Sequence, residues 1–422
     1  MSYASHLSCI ACAQTYPADK VMNLCPQDNR PVEIIIDTDR LRSEKPNFEW
    51  YRPDIKSMWR FGSLMALDIN DKNDLESIVS LGEGYTPSIP LDAHPLANKV
   101  GFSLFLKDEG QPHQGYGRNP TASFKDRGMS MVASMATKLG IHKLAVPTQG
   151  NAGDSLTEYA LHAGFDIVVA MPDDTPMPIL GRVAAMEKIH SQVHLELVKG
   201  TIRDANELLK EKYIPQDYFS TATFQEPGWR IEGKKTLGLE LAEPNPNGKE
   251  SWSLPDVILY PTGGGTGILG MWKAFDELEA LGVIDERRPK IIAVQSEATA
   301  PIVNAYTRGL KDSEALPTGE TIATGLNVPG GVGHVKVLEI IRKSEGGAIA
   351  ISETKIREEI RDVYQNNGIW ICPEGAATLA ALEPAVQMSL IKPGETVVVF
   401  NTCSFEKYLP DIRNIIFSYS ET

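Results

Sequence analysis

An α/β fold built on parallel sheets is what this chain of 422 residues predicts, and two observations carry the expectation. Short apolar runs alternate with segments of helical period, the rhythm of strands joined by helical crossovers. Twice, the passage from a strand to a helix is made by a glycine-rich loop, the place where open α/β sheets bind ligands. The chain is long enough for two or three domains and a sizeable core.

The opening residues pair Cys9-x-x-Cys12 with Cys25-Pro-Gln-Asp28, the spacing of two zinc knuckles with a carboxylate in the last ligand position. Zinc accepts such an oxygen, so a site at Cys9, Cys12, Cys25 and Asp28 is chemically allowed. Structural sites prefer all-Cys or Cys/His sets, which makes a metal-free remnant of a zinc ribbon the expected state. Residues 41–80 read as a polar, partly helical connector. Gly82–Pro87 is a glycine- and proline-punctuated loop before the apolar run Ser88–Leu91. Phe102–Lys107 reads as a strand, and the loop Asp108–Arg118 leads into Asn-Pro-Thr-Ala-Ser-Phe-Lys-Asp-Arg-Gly at 119–128.

Ser123–Leu139 has a helical period, with Ser123 as its expected N-cap and Gly140 as its stop. Lys125 then sits in the first turn. The positive end of the helix dipole disfavours an ammonium there and keeps an amine nucleophilic. The competing reading treats Lys125 and Arg127 as ordinary solvated charges. Next come the strand Lys143–Pro147, the loop Thr148–Gly153, the helix Asp154–His162 ended by Gly164, and the strand Phe165–Met171. The helix Pro178–Ile189, the strand His194–Val198 and the helix Thr201–Lys212 complete this unit. A second run comprises the strand Val257–Tyr260, the loop Thr262–Gly267, the helix Ile268–Leu281 and the strand Lys290–Gln295. The helices Glu353–Asn367 and Ala376–Met388 and the strand Thr396–Phe400 follow.

Composition narrows the function. The formal net charge is −14, which argues against nucleic-acid and anionic-membrane partners. Five cysteines, an odd and sparse set, do not make a secreted disulfide framework. The N-terminus has no signal-peptide pattern, and no apolar run approaches the roughly 18 residues of a membrane span. A cytoplasmic location is expected.

Consecutive glycines at Gly263, Gly264 and Gly265, with Thr266 and Gly267, let backbone N–H groups converge on an anion at a helix start. Gly265-x-Gly267-x-x-Gly270 also matches a dinucleotide fingerprint, with Glu297 at the next strand end as the ribose partner. That supports a nicotinamide-dependent oxidoreductase as a rival. Asn151, in the loop Thr148–Gly153, suits a phenolic oxygen, and Thr402 beyond the last strand suits a ring nitrogen. An amine, an anion cradle and these two partners together fit pyridoxal phosphate, whereas a dinucleotide leaves the lysine segment unused.

With Gly82–Pro87, Asn119–Gly128, Gly150-Asn151-Ala152-Gly153, Arg230–Thr236, Gly263–Gly267 and Pro373–Ala377 in view, the chain resembles the threonine-synthase branch of the tryptophan-synthase-β-like, fold type II pyridoxal-phosphate enzymes. The resemblance implies a zinc-ribbon-like segment at 1–40, a large cofactor-binding α/β domain from 41–118 and 225–422, and a small α/β domain at 119–224. It implies that Lys125 is the Schiff-base lysine and the proton carrier, and that Phe124 flanks the cofactor ring. Asn151 meets the phenolic oxygen, Gly263–Gly267 hold the phosphate, and Thr402 faces the ring nitrogen. Thr148, Gln149, Gly150, Ala152 and Arg230 meet an amino-acid substrate, and the enzyme is a homodimer. The implied reaction converts O-phospho-L-homoserine and water to L-threonine and phosphate. Phe224-Gln225-Glu226-Pro227-Gly228-Trp229 stands where the family places serine and asparagine donors. A serine/threonine ammonia-lyase, which needs no substrate-phosphate site, or another β/γ-replacement enzyme is therefore the alternative. A relative that binds the cofactor without chemistry is a third.

Overall fold

The computed structural model describes residues 2–244 and 249–417, with thirteen strands in three sheets among them. Strands β1 (Ala4–Cys9), β2 (Thr15–Pro17) and β3 (Val32–Ile36) form an antiparallel sheet in the order β2-β1-β3. The second sheet contains β4 (Ser88–Pro90), β5 (Ser103–Asp108), β10 (Val257–Pro261), β11 (Lys290–Ser296), β12 (Gly347–Ile351) and β13 (Thr396–Asn401). Its order is β12-β11-β10-β13-β5-β4, parallel except for the antiparallel edge pair β4–β5. The third, β6 (Lys143–Pro147), β7 (Asp166–Pro172), β8 (Val193–Val198) and β9 (Phe219–Ser220), is all parallel in the order β8-β7-β6-β9.

Where a helix carries its own punctuation, its observed end agrees with the expectation. Gly140, Gly164 and Gly368 are left-handed at helix C-termini, with φ +70°, +75° and +69°. Thr201 caps Ile202–Lys212 reciprocally with Asp204.

Several expectations need correcting. The lysine helix runs Lys125–Lys138 with Phe124 as N-cap; Ser123 lies one residue earlier, its hydroxyl accepting the Lys125 N–H at 3.3 Å. The helix after β6 starts at Asn151, three residues early, because the Gly150 backbone, at φ +131°, already turns into it. Ala376–Met388 is two helices, Pro373–Ala380 and Leu382–Gln387. The connector is not polar throughout: Met58–Leu67 is buried, including Trp59 and Phe61.

A helix not anticipated from the sequence, Trp229–Ala242, is buried along its whole length. It packs against the lysine helix and against the helix Thr266–Ala280. Glycines permit the approach: a methyl on Gly233 would strike the Arg127 carbonyl, and one on Gly238 would lie 2.8 Å from Met271 Cα. The lysine helix is thereby packed on a buried helix that itself packs on Thr266–Ala280.

Candidate active site

The carboxyl ends of β6, β10 and β13, from the two parallel sheets, open onto one cavity of about 550 Å³. Phe124, Lys125, Thr148, Gln149, Gly150, Asn151, Ala152, Arg230, Gly263, Gly264, Gly265, Thr266, Gly267 and Thr402 all line it. The structure thus brings together every residue singled out from the sequence for pyridoxal phosphate or its amino-acid substrate.

Backbone pairing sets the lysine against the last strand. Phe124 N–H donates to the Thr402 carbonyl (2.9 Å), Ser404 N–H donates to the Ala122 carbonyl (2.9 Å), and Ser123 bridges Cys403. Two residues on, Arg127 is fully buried, its guanidinium held by Glu109 at 2.7 Å and Glu240 at 2.8 Å. The solvated-charge reading of Arg127 is therefore overturned. Lys125 Nζ lies 4.7 Å from the Phe124 ring centroid. Burial first, then the neighbouring Arg230 guanidinium, lowers its amine to about 8, against upward pulls from Glu374 and Cys403.

That shift has a measurable consequence. An amine must be neutral to attack an aldehyde, and with a pKa of about 8 roughly a tenth is neutral at pH 7 and roughly nine-tenths at pH 9. Covalent uptake of pyridoxal phosphate by the apo-protein, followed by stopped-flow absorbance, should accelerate about tenfold across that interval. An ordinary lysine, near 10.4, would still be climbing steeply at pH 9.

The glycine loop between β10 and its helix is built for close approach. Gly265 is left-handed at φ +91°, and a methyl there would run into Val337. A methyl on Gly267 would collide with the Tyr260 ring, while one on Gly264 would sit 3.1 Å from Thr223 Cγ2. The helix begins immediately, at Thr266, so its first N–H groups face the same space. Gly270, by contrast, touches Lys234 on the neighbouring helix and lies outside the cavity, and Glu297 is exposed at the far strand end. The dinucleotide reading loses both of its distinguishing residues: one is a helix-packing glycine and the other faces solvent.

The opposite wall is the turn after β6. The Thr148 hydroxyl accepts from Gly150 N–H (2.9 Å) and Gly153 N–H (3.1 Å), so it shapes the turn. Asn151 heads the helix, receiving Lys407 Nζ at 2.9 Å and donating to the Tyr408 hydroxyl at 3.4 Å. Gln149 donates to the Asn327 carbonyl at 3.4 Å. Thr402, 4% exposed, has the Cys372 sulfur at 3.7 Å.

Other lining residues were not found from the sequence. Lys234 is buried, donates to the Phe124 carbonyl and sits 3.8 Å from the Phe124 ring centroid. Burial and then the charge of Lys125 hold its amine well below the usual lysine range. It falls within Arg230–Thr236, a run quoted for its resemblance without regard to which side chains face inward. Glu374 accepts from Tyr408 (2.8 Å) and from Gly325 N–H (2.8 Å), and its second oxygen has no hydrogen-bond partner. Arg230 is tethered to the Thr221 carbonyl and to the Thr223 hydroxyl (3.3 Å), while its Nε faces Glu226 Oε2 at 3.8 Å, an ion pair without a hydrogen bond. Tyr260 Oη lacks one too. Glu226, in the run Phe224–Trp229 that replaces the family's serine and asparagine donors, is buried outside the cavity lining and accepts the Arg230 backbone N–H at 3.2 Å.

A depressed lysine, a glycine cradle at a helix start and unsatisfied polar atoms on Glu374 and Tyr260 fit a phosphorylated aromatic aldehyde. Together with the two parallel sheets they define a pyridoxal-phosphate enzyme of fold type II. Comparison with known proteins agrees: residues 79–402 match the family model described as pyridoxal-phosphate dependent enzyme, and the chain belongs to that family. It is 30% identical to threonine synthase of Methanosarcina acetivorans over 398 residues, covering 94% of this chain and 91% of that protein. It is also 30% identical to threonine synthase of Methanocaldococcus jannaschii over 395 residues, covering 93% and 91%. Among solved structures, a fungal L-serine ammonia-lyase from Rhizomucor miehei superposes with a TM-score of 0.62 at 17% identity, covering 80% of this chain and 98% of that one. Among the described residues, no helix is long and apolar enough to cross a membrane.

Proposed function

We propose that this enzyme is a threonine synthase, converting O-phospho-L-homoserine and water to L-threonine and phosphate. One observation carries the choice over an ammonia-lyase: basic residues outnumber acids around the cavity of an acidic protein. Five basic residues line it (Arg30, Lys125, Arg203, Arg230 and Lys234) against two acids (Asp312 and Glu374), while the whole chain carries −14. Such a field suits a doubly anionic substrate more than serine or threonine. The relatives named threonine synthase, matched over nine-tenths of this chain, support the same reading.

The bound cofactor supplies the electron sink that lets bonds at the substrate's α, β and γ carbons break. The chain's own residues do the rest. Gly263, Gly264, Gly265, Thr266 and Gly267 would hold the cofactor phosphate through backbone N–H groups. Phe124 would pack beside its ring, Asn151 would bond its phenolic oxygen, and the neutral Thr402 hydroxyl would meet its ring nitrogen without donating a full charge. Lys125, as a neutral amine, would take the proton from the substrate α-carbon and return it further along the substrate chain. Gln149, Gly150 and Ala152 meet the substrate carboxylate, and Thr148 keeps their turn in shape. Arg230, with one edge tethered to Thr221 and Thr223, receives the leaving phosphate. The acidic surface accords with a cytoplasmic homodimer that acts on a small amino acid and has no nucleic-acid or membrane partner.

Assaying O-phosphohomoserine and threonine side by side tests the proposal. Phosphate release with threonine formation from the first is expected. 2-Oxobutanoate and ammonia from the second, with no phosphate from the first, would overturn it in favour of the dehydratase. Arg230→Lys keeps the charge but loses the planar fork. It should raise KM for O-phosphohomoserine by about 10-fold or more, the worth of one charge-assisted hydrogen bond.

A further inference from the structure

The four groups Cys9, Cys12, Cys25 and Asp28 come from two separate turns, and the turns have the same geometry. In the first, Cys9 N–H donates to the Gln14 carbonyl (3.0 Å), and Ala13 N–H donates back to the Cys9 carbonyl (3.2 Å). In the second, Cys25 N–H donates to the Arg30 carbonyl (2.8 Å), and Asn29 N–H donates back to the Cys25 carbonyl (2.9 Å). The residue after each pair, Ala13 and Asn29, is left-handed at φ +58° and +56°. Position by position, Cys9 corresponds to Cys25 and Cys12 to Asp28. Two non-glycine residues in the left-handed region cost energy, and here they aim two pairs of side chains at a common point.

The ligand atoms of all four residues lie within 4.8 Å of one another. Cys9 Sγ is 3.4 Å from Asp28 Oδ2, and Cys12 Sγ is 3.7 Å from Cys25 Sγ. Bond lengths of about 2.3 Å to sulfur and 2.0 Å to oxygen around a tetrahedral zinc give edges of about 3.5 Å for S···O and 3.8 Å for S···S. The observed separations are those edges. A disulfide is ruled out by the same numbers, since its sulfurs are about 2.05 Å apart. The surroundings orient the ligands as an outer shell does: the Tyr16 hydroxyl meets Cys25 Sγ at 3.1 Å, and Arg30 N–H donates to Asp28 Oδ1 at 3.0 Å.

We propose that Cys9, Cys12, Cys25 and Asp28 bind one zinc ion as a closed structural site. Sequence reasoning favoured a metal-free remnant because the fourth ligand is a carboxylate. The geometry overrides that preference, since Asp28 occupies the ligand position with its second oxygen already satisfied by the backbone. The site is joined to the cavity through Arg30, two residues beyond Asp28. Arg30 donates to the Val332 carbonyl (3.2 Å) and pairs with Asp312 (2.6 Å), and all three line the cavity. The ion would thus fix one of the cavity's five basic residues.

The full-length protein, expressed with zinc and purified under reducing conditions without chelator, should contain close to one zinc per chain by mass spectrometry of the metal. The chelated wild type, titrated with cobalt(II), should develop the intense visible bands of tetrahedral coordination and a thiolate charge-transfer band in the near ultraviolet. Asp28→Ala should lower the zinc content at least tenfold, and Asp28→Cys should release zinc to a chelator more slowly than wild type. Less than a tenth of an equivalent of zinc in the wild type, together with no cobalt bands, would overturn the proposal. The cobalt titration uses the unaltered chain, so a variant that fails to fold cannot stand in for that result.

Discussion

Lys125→Ala should abolish covalent attachment of the cofactor and reduce turnover by about 10⁴-fold, because one residue is asked both to hold the cofactor and to move a proton. The structure makes the prediction sharper, because Lys125 has a rival. Lys234 is another depressed amine in the same cavity, stacked at 3.8 Å from the ring that Lys125 flanks at 4.7 Å. What separates them is their tethers. The Lys234 amine already donates to the Phe124 carbonyl, whereas Lys125 has no hydrogen bond from its amine and stands at a helix N-terminus opposite Thr402. Borohydride reduction and peptide mapping of the loaded wild type should therefore label the peptide carrying Lys125. Lys234→Ala should leave that label in place, and Lys125→Ala should remove it without moving it to Lys234. A label on Lys234 in the wild type would refute the assignment.

How far this was legible from the chain depends on what each residue type advertises. Gly140, Gly164, Gly368 and Thr201 mark helix ends by local conformational demands, and those ends were read correctly. The strand-end loops announced themselves because glycines and small polar residues have few reasons to cluster after an apolar run. The helix Trp229–Ala242 gave no such signal. Buried on every side, it has no amphipathic period, and its charged residues Glu232, Lys234, Lys235 and Glu240 read as a solvated face. Lys234 and the unpaired oxygen of Glu374 were missed for the same reason. Which way a side chain points on an element without a solvent side is decided by neighbours from distant sequence. The Cys12 and Asp28 turns lie between these cases: their spacing was legible, whereas the backbone geometry that brings the four ligand atoms within 4.8 Å of one another was not.

Glu240→Ala should be the most destabilising single change near the site, because it removes the shared anion of three buried cations. Glu240 pairs with Arg127 at 2.8 Å, Lys107 at 2.7 Å and Arg60 at 3.2 Å, all fully buried, and also accepts from Tyr85 N–H (2.7 Å) and Thr86 N–H (3.2 Å). Those three cations hold the Glu240 carboxyl well below the usual range against the upward push of burial, so the network is charged at neutral pH. Without it, Arg127 retains Glu109 and Arg60 retains Glu243, but Lys107 is left with the Thr86 carbonyl. Breaking a buried pair costs about 3–5 kcal/mol, a large share of the roughly 5–15 kcal/mol that holds a domain together. Urea unfolding at pH 7 should show a loss of that size. Glu240→Gln should recover part of it, because the amide oxygen still accepts the Tyr85 and Thr86 N–H groups. The sign with pH follows from the depressed carboxyl: its contribution is complete above about pH 4.3 and fades as acid protonates the folded state. The deficit of Glu240→Ala relative to wild type should accordingly shrink towards pH 3. Arg127 lies two residues from Lys125, and Tyr85 and Thr86 belong to the loop Gly82–Pro87. The same variant should therefore also slow turnover in whatever fraction stays folded, which links the charge buried behind the lysine helix to the amine presented at its tip.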